Sequence, residues 1–433
     1  MIRRTVAVCM RRAGPGAAMG KGFLAGPAPP ATGMPVQPLV QHRGAKGLHG
    51  ALGRVPPKPT DEEIESLELN KSAATHFEEG RYEQAAKAWS DALKKLADVG
   101  KDGDVIAVAP LNNLACAKGE MGDAQGKLRL LERALDIITK HYGTDHPQYV
   151  VAMSNLATAL GDNGHPRQML EMLQQALEVQ RRLYKPGHAK IARTLMSIAD
   201  AHARLGEFPK QLELLEEAFP MVKRHCGEHH PQVGITLNNL ANAHGNNGDH
   251  YKRRDLLEEA LEVEKKTLGP FHPQLAVTMV NLGDTEGQLG RPDKQRKYLE
   301  EAIALQTRHF GSSHPSMIIP VSNYAAVLLE AGEHVDARIQ AEKAHSLASQ
   351  YLNPAKDRML AVAKTNLACA LVPFKKQADA AAELAAEAER LLRAMGAGDD
   401  DNEVQRAKKI AAVAAGAEPS EGTAATSGGE DGK

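Results

Sequence analysis

Aromatic residues are scarce in this chain, at 4% of 433 residues, with a single tryptophan, Trp89. A β-sandwich or barrel of this length draws on valine, isoleucine and aromatic side chains. Here alanine and leucine carry the apolar content, which favours closely packed helices. No stretch approaches the roughly 20 uninterrupted apolar residues that a membrane helix needs, so no membrane span is expected. Four cysteines (Cys9, Cys116, Cys226, Cys369) are too few and too scattered for a disulfide framework. Each is expected to act as a small hydrophobe in a reducing compartment.

Acidic residues are missing from one end. Residues 1–60 hold nine of the 53 Lys and Arg and no Asp or Glu. The remainder therefore carries 44 basic against 54 acidic side chains. An acidic body is a poor partner for nucleic acid, whose phosphates demand a basic face. The first residues read MIRRTVAVCMRRAG. On a helix, Ile2, Val6 and Cys9 share one face and Arg4 and Arg11 lie opposite. An amphipathic, arginine-bearing, acid-free start resembles a mitochondrial targeting segment. A secretory signal lacks its apolar region here, and a chloroplast transit peptide its serine, the first serine being Ser66. Mitochondrial localisation is the expectation; the alternative is a cytoplasmic protein with a disordered basic arm.

From residue 61 the chain repeats itself. Histidines stand at His146, His188, His230, His272 and His314, each step being 42 residues. All but His188 are followed by proline. Ala92, Ala134, Ala176, Ala218, Ala260, Ala302 and Ala344 keep the same step. An Asn-Leu-Ala signature begins at Asn113, Asn155, Asn239, Asn281 and Asn323, with Ser197 in the remaining slot and Asn366 after a one-residue slip. Three series with one period mean stacked units that share a core. Each unit holds two helical patterns. In 147–184, Val151, Leu156, Ala157 and Leu160 form one stripe, Gly161-Asp162-Asn163-Gly164 breaks it, and Leu170, Leu173, Leu177 and Val179 begin a second. Proline suits a first helical position, where its missing N–H has no partner in any case, so each repeat histidine is expected to cap the first helix, A. The small residues Ala115, Ala157, Ala199, Ala241, Gly283 and Ala325 let helices A and B approach. The expected fold is all-α, a solenoid of about eight helix hairpins over 61–395. Residues 396–416 form a linker and capping helix, and a tail at 417–433 is expected to be disordered, as is the arm at 1–60.

At these residues the chain resembles tetratricopeptide-repeat proteins. Residues 70–93 carry the family pattern: Ala73, Phe77, Gly80, Tyr82, Ala85, Trp89 and Ala92. The later units, such as HPQVGITLNNLANAHGNNGD at 230–249, are similar to the 42-residue repeats of kinesin light chains. The resemblance implies a right-handed superhelix. The alanine expected early in helix B is kept at Ala85 and Ala337 but replaced by Lys127, Met169, Gln211, Arg253 and Gln295, which leaves open how helix B seats there. A long heptad region for pairing with a kinesin heavy chain is also missing.

The resemblance further implies that helix A lines a concave groove and that the signature asparagine points into it. Asn113, Asn155, Asn239, Asn281, Asn323 and Asn366 are the groove candidates. An amide both donates and accepts, so it can hold a peptide backbone of any sequence. The alternative is that these amides bridge neighbouring helices. Glu120, Asp162, Asp200, Asp284 and Glu330 are also expected in the groove, with Arg193 and Arg204 as its cations. A carboxylate clamp wants several converging cations, so a neutral or basic partner segment is expected.

His225, Cys226, His229 and His230 have the look of a metal site, but the repeat register accounts for His225 and His230, and no metal is expected. No nucleotide-binding glycine loop is present, and no cofactor or catalytic residue is expected. The function read from the sequence is a non-catalytic scaffold for a protein or peptide partner, with a cytosolic cargo adaptor similar to kinesin light chain as the alternative.

Overall fold

The computed structural model describes residues 60–79, 81–352 and 357–416. The targeting segment and the C-terminal tail lie outside the described residues, as does the turn residue Gly80. Among the described residues there are 17 α-helices and no strand, an all-α tetratricopeptide-like solenoid. The chain divides into two compact units at the turn before Gly248.

The N-terminal unit holds α1 (Asp61–Glu78), α2 (Tyr82–Asp98), α3 (Val108–Glu120), α4 (Ala124–Tyr142), α5 (Pro147–Asp162), α6 (Pro166–Leu183), α7 (Ala189–Leu205), α8 (Phe208–Cys226) and α9 (Pro231–Asn246). Odd-numbered helices are of type A and even-numbered ones of type B. The C-terminal unit holds α10 (His250–Leu268), α11 (Leu275–Gln288), α12 (Pro292–Phe310), α13 (Ile318–Ala331), α14 (His334–Tyr351), α15 (Arg358–Leu371), α16 (Ala378–Ala394) and α17 (Asn402–Ala414).

Local chemistry sets where these helices begin. Thr60 and Glu63 form a reciprocal capping box on α1, with bonds of 2.7 and 3.3 Å. The repeat histidines cap through Nδ1. It accepts the backbone N–H two residues on at His146, His188, His230, His272 and His314, at 3.1 to 3.2 Å. Pro147 and Pro231 are first helical residues, as expected. At His272 and His314 the expectation needs correction: the chain first makes i→i+3 turns, and the α-helix starts at Leu275 and Ile318. Tight opening turns of this kind pair backbone groups that a helix terminus leaves open.

Glycines with positive φ stop the helices. Gly122, Gly164, Gly206, Gly248, Gly290 and Gly332 follow A helices, and Gly143, Gly227, Gly269 and Gly311 follow B helices, all with φ between 72° and 88°. Together they mark a 21-residue half-repeat. Only the slot at Lys185 is out of step, its glycine being Gly187. A residue with a Cβ is strained in that region.

The small-residue series does its expected work: Ala115, Ala157, Ala199, Ala241 and Ala325 are at most 1% exposed. At Gly283 an added Cβ would lie 3.3 Å from the Gln295 carbonyl, so helix B passes close by. The seating of helix B at the departures from the family pattern has a simple geometry. Eight residues before each departure, helix A carries a glycine or alanine. A Cβ at Gly161 would lie 2.4 Å from Met169 Sδ, one at Gly287 2.7 Å from Gln295 Cδ, and one at Gly119 3.1 Å from Lys127 Cδ. Ala203 stands eight before Gln211, and Gly245 eight before Arg253. Where helix B keeps alanine, helix A is large: Phe77 packs in the same core as Ala85, and Leu329 in the same core as Ala337. The volume between the helices is conserved and only its donor changes.

The last hairpin is covered by α17, whose Val404, Ala407 and Ile410 are fully buried. The outer side of α1 has no such cover among the described residues. Its Ile64 and Leu67 are 42% and 46% exposed.

Candidate protein-binding face

All six signature asparagines sit on A helices, in two environments. Asn113 on α3 is 2% exposed, and its amide donates to Asn70 Oδ1 at 3.3 Å. The same oxygen accepts the Trp89 indole N–H at 2.9 Å. Asn366 on α15 is 3% exposed; it donates to Ser322 Oγ at 2.8 Å and accepts from Arg406 Nη2 of α17 at 2.7 Å. These two amides bridge neighbouring helices. Asn155, Asn239 and Asn323 are half-buried, and their side chains make no hydrogen bond among the described residues. Asn281 is buried and likewise makes none.

The expected cations also part company. Arg204 is held by Asp200 at 2.9 Å and Asp162 at 3.2 Å, and Asp162 also meets Lys127 at 3.2 Å. Burial works against the Arg204 charge, but the two carboxylates outweigh it and raise its pKa. Arg193, three turns earlier on the same α7, is exposed and makes no ion pair among the described residues. Between them on that face lie Ser197 and Asp200, both half-buried. The equivalent of Arg193 on α5 is Val151, 48% exposed.

Of the acidic side chains expected here, Asp162 and Asp200 are thus neutralised in the N-terminal unit. In the C-terminal unit Asp284 pairs with the buried Arg253 at 2.9 Å. Two of these partners, Lys127 and Arg253, escaped the sequence reading because they sit on B helices, where they stand in for the family's alanine; the third, Arg204, was expected on the face as a cation and is spent on Asp162 and Asp200.

A buried ionisable group also escaped the sequence reading. Glu264 on α10 is 1% exposed, and accepts the Thr278 hydroxyl of α11 at 2.7 Å. Burial raises its pKa from 4.5 to about 7, against the pull of its hydrogen bonds from Thr278 and Gln274. Of the metal-like group, His230 is engaged as a cap, and the His225 ring lies 6.3 Å from that of His188. Among the described residues no three or more His, Cys, Asp or Glu side chains are gathered in a way that could hold a metal ion.

Two family models, both of the tetratricopeptide repeat, match the sequence: one at residues 164–224 and 232–308, the other at 111–148. Among solved structures, a Rap protein complexed with competence and sporulation factor superposes with a TM-score of 0.51. It is 11% identical, over 82% of this chain and 98% of that one. The apo form of RapI gives a TM-score of 0.50 at 16% identity, over 66% of this chain and 98% of that one. A Podosopora anserina putative kinesin light chain with nearly identical tetratricopeptide-like repeats is 25% identical over 46% of this chain and 93% of that one, with a TM-score of 0.41. No curated protein matches the sequence. The chain carries tetratricopeptide repeats at residues 111–148, 164–224 and 232–308, and its 42-residue repeats resemble those of kinesin light chains. This fold is typically a non-catalytic scaffold for protein partners. Among the described residues no helix is long and apolar enough to cross a membrane.

Proposed function

We propose that the protein is a mitochondrial interaction scaffold that holds an extended segment of a partner protein along the A-helix face of its N-terminal unit. The observation that carries this reading is the pair of signature amides at Asn155 and Asn239, which occupy equivalent positions and whose donors and acceptors are unspent among the described residues. Amides left in that state are suited to a backbone, which offers the complementary groups at every residue. Asn323 in the C-terminal unit has the same character. Asn113 and Asn366 serve the helix stack instead.

The expectation of a neutral or basic segment rested on five carboxylates, of which Asp162, Asp200 and Asp284 are paired. With Asp162, Asp200 and Asp284 neutralised, a neutral segment is favoured. Peptides of both charges titrated against the protein test this. Equal affinity, little changed by salt, supports a backbone-held neutral segment; strong preference for an acidic peptide overturns it.

The mitochondrial assignment rests on the composition of residues 1–60. The kinesin-light-chain-like repeats favour the second reading, a cytosolic cargo adaptor. Affinity purification of C-terminally tagged protein from intact cells separates the two. A bait trimmed within residues 10–60 and recovered with organellar subunits supports the scaffold. An intact Met1 recovered with motor or vesicle proteins replaces it with the adaptor.

A further inference from the structure

In the N-terminal unit the edge where each B helix ends and the next A helix begins is basic. The last turns of α4, α6 and α8 carry Lys140 and His141, Arg181 and Arg182, and Lys223, Arg224 and His225. Cations suit a helix C-terminus, where carbonyls are left open. One cation of this edge recurs together with a loop residue that satisfies it. Arg182 at the end of α6 meets Asp145, in the loop before α5, at 2.6 Å. One period on, the arginine is kept as Arg224 and the aspartate is replaced by Gly187. Two periods further, in the C-terminal unit, the pair is Arg308 and Phe271, with the guanidinium 4.4 Å from the ring centroid. Only the middle pair keeps the cation and drops its partner.

That exchange leaves an open seat. Arg224 Nη1 lies 3.2 Å from the place a Gly187 Cβ would take, so the guanidinium reaches over bare backbone. Other donors gather around it. The Tyr184 ring stacks on that of His188 at 4.5 Å, and the His188 ring lies 6.3 Å from that of His225. Lys190 Nζ donates to the Tyr184 hydroxyl oxygen at 2.9 Å, which leaves the phenolic hydrogen to donate outward. Lys185 enters the same loop. Arg224, His225, Lys185 and Lys190 are all exposed, and none of them forms an ion pair among the described residues. A guanidinium presents a planar fork that matches a carboxylate, and the neighbouring repeat fills the equivalent position with one.

We propose that this seat takes a side-chain carboxylate from an acidic segment of a partner protein, held by Arg224 over Gly187 as Asp145 is held by Arg182. Lys185, Lys190 and the Tyr184 hydroxyl receive the adjoining acidic residues of the same segment. The seat lies on the loop edge and shares no residue with the signature asparagines, so it goes beyond the reading of the A-helix face.

Fluorescence anisotropy of a labelled, C-terminally amidated oligoglutamate peptide, titrated with the full-length protein at low ionic strength, tests this. Arg224→Gln, at an exposed position, is expected to weaken binding about tenfold, the worth of one charge-assisted contact. Arg182→Gln removes the same charge from the preceding repeat, but that arginine is already spent on Asp145, so the affinity should hardly change. Equal losses in the two variants, or none in Arg224→Gln, overturn the proposal. Gly187→Asp supplies the carboxylate from within, since aspartate is among the side chains that tolerate positive φ. It is expected to displace the peptide as Arg224→Gln does, and undiminished binding would overturn the assignment of the seat. A phosphoserine peptide that binds where oligoglutamate does not overturns the carboxylate in favour of a phosphate. Asn155→Ala is expected to leave the affinity for oligoglutamate unchanged, so failure of one site leaves the other standing. In the Gly187→Asp background the charge preference of the A-helix face is read without the edge.

Discussion

The first and seventh hairpins solve the contact between their helices in the opposite sense from the second, third and sixth. In the former, Phe77 and Leu329 reach from helix A across to Ala85 and Ala337. In the latter, Lys127, Met169 and Gln295 reach from helix B to Gly119, Gly161 and Gly287. The fold therefore constrains the sum of two volumes, and the individual residues are free to trade. A repeat family defined by its small residues has departed from its pattern without losing its packing. The trade has a further use: side chains that cross from helix B bring charge, so that Lys127 and Arg253 neutralise acidic groups on the A face.

The largest expected effect comes from upsetting one trade. Gly161→Leu forces a side chain into the space of Met169, and Met169→Ala empties it. Each alone is expected to destabilise the protein by about 2–4 kcal/mol. The double variant should recover most of that loss, as chemical denaturation would register. A double variant as unstable as the sum of the singles would show that the two positions are independent.

A second contrast lies deeper in helix B, where Ile138, Gln180, Val222, Glu264 and Gln306 occupy one register and are all buried. The charge-bearing member makes stability depend on pH. Glu264 has its folded pKa raised from 4.5 to about 7. Its stabilising effect is thus complete below the unfolded value and is lost as pH rises through about 7. Glu264→Gln should remove that slope. It should stabilise the C-terminal unit above pH 7 by about 3 kcal/mol, by the linkage of about 1.4 kcal/mol per pKa unit. Thermal melts from pH 5 to 8 that fall in parallel for both proteins would contradict it.

The asparagine series offers the third contrast. Asn366→Ala leaves the buried Arg406 without one acceptor and should destabilise the protein by about 1–3 kcal/mol. Asn155→Ala should leave stability within about 0.5 kcal/mol and weaken partner binding, as calorimetry with the purified partner would read. If Asn155→Ala changes stability and not binding, the amide belongs to the stack.

The smallest effect concerns the caps. Burial lowers the pKa of His314, so its contribution is present above the unfolded value of 6.5 and is lost as pH falls. Protonation would also turn the Nδ1 acceptor into a donor facing the Ser316 N–H. His314→Asn keeps an acceptor at every pH above 5. It should remove part of the acid sensitivity between pH 6.5 and 5, a difference of under 1 kcal/mol, visible in melts over that range.

The fold was legible because three series repeat at 42 residues, and a stack repeats its environments with its sequence. The fate of each candidate residue was not. Asn113 and Asn366 look like Asn155 in the signature, but their use is decided by Asn70, Ser322 and Arg406, which lie 40 to 44 residues away and outside the series. Arg193 and Arg204 share a helix and differ through Asp162 on the neighbouring one. The glycines opposite Met169 and Gln295 are visible in the sequence, but they read as turn or helix-ending signals until a side chain is found filling the space beside them.

The half-repeat glycines make the chain editable. Because Gly164 and Gly206 end consecutive A helices with the same backbone geometry, excising residues 165–206 splices α5 to α8 at an equivalent junction. The new neighbours would be Gly161 and Gln211, the same glycine–glutamine match that Gly287 makes with Gln295. A shortened chain of this kind should keep its helical content per residue, whereas removal of 21 residues would join two helices of the same type and should not.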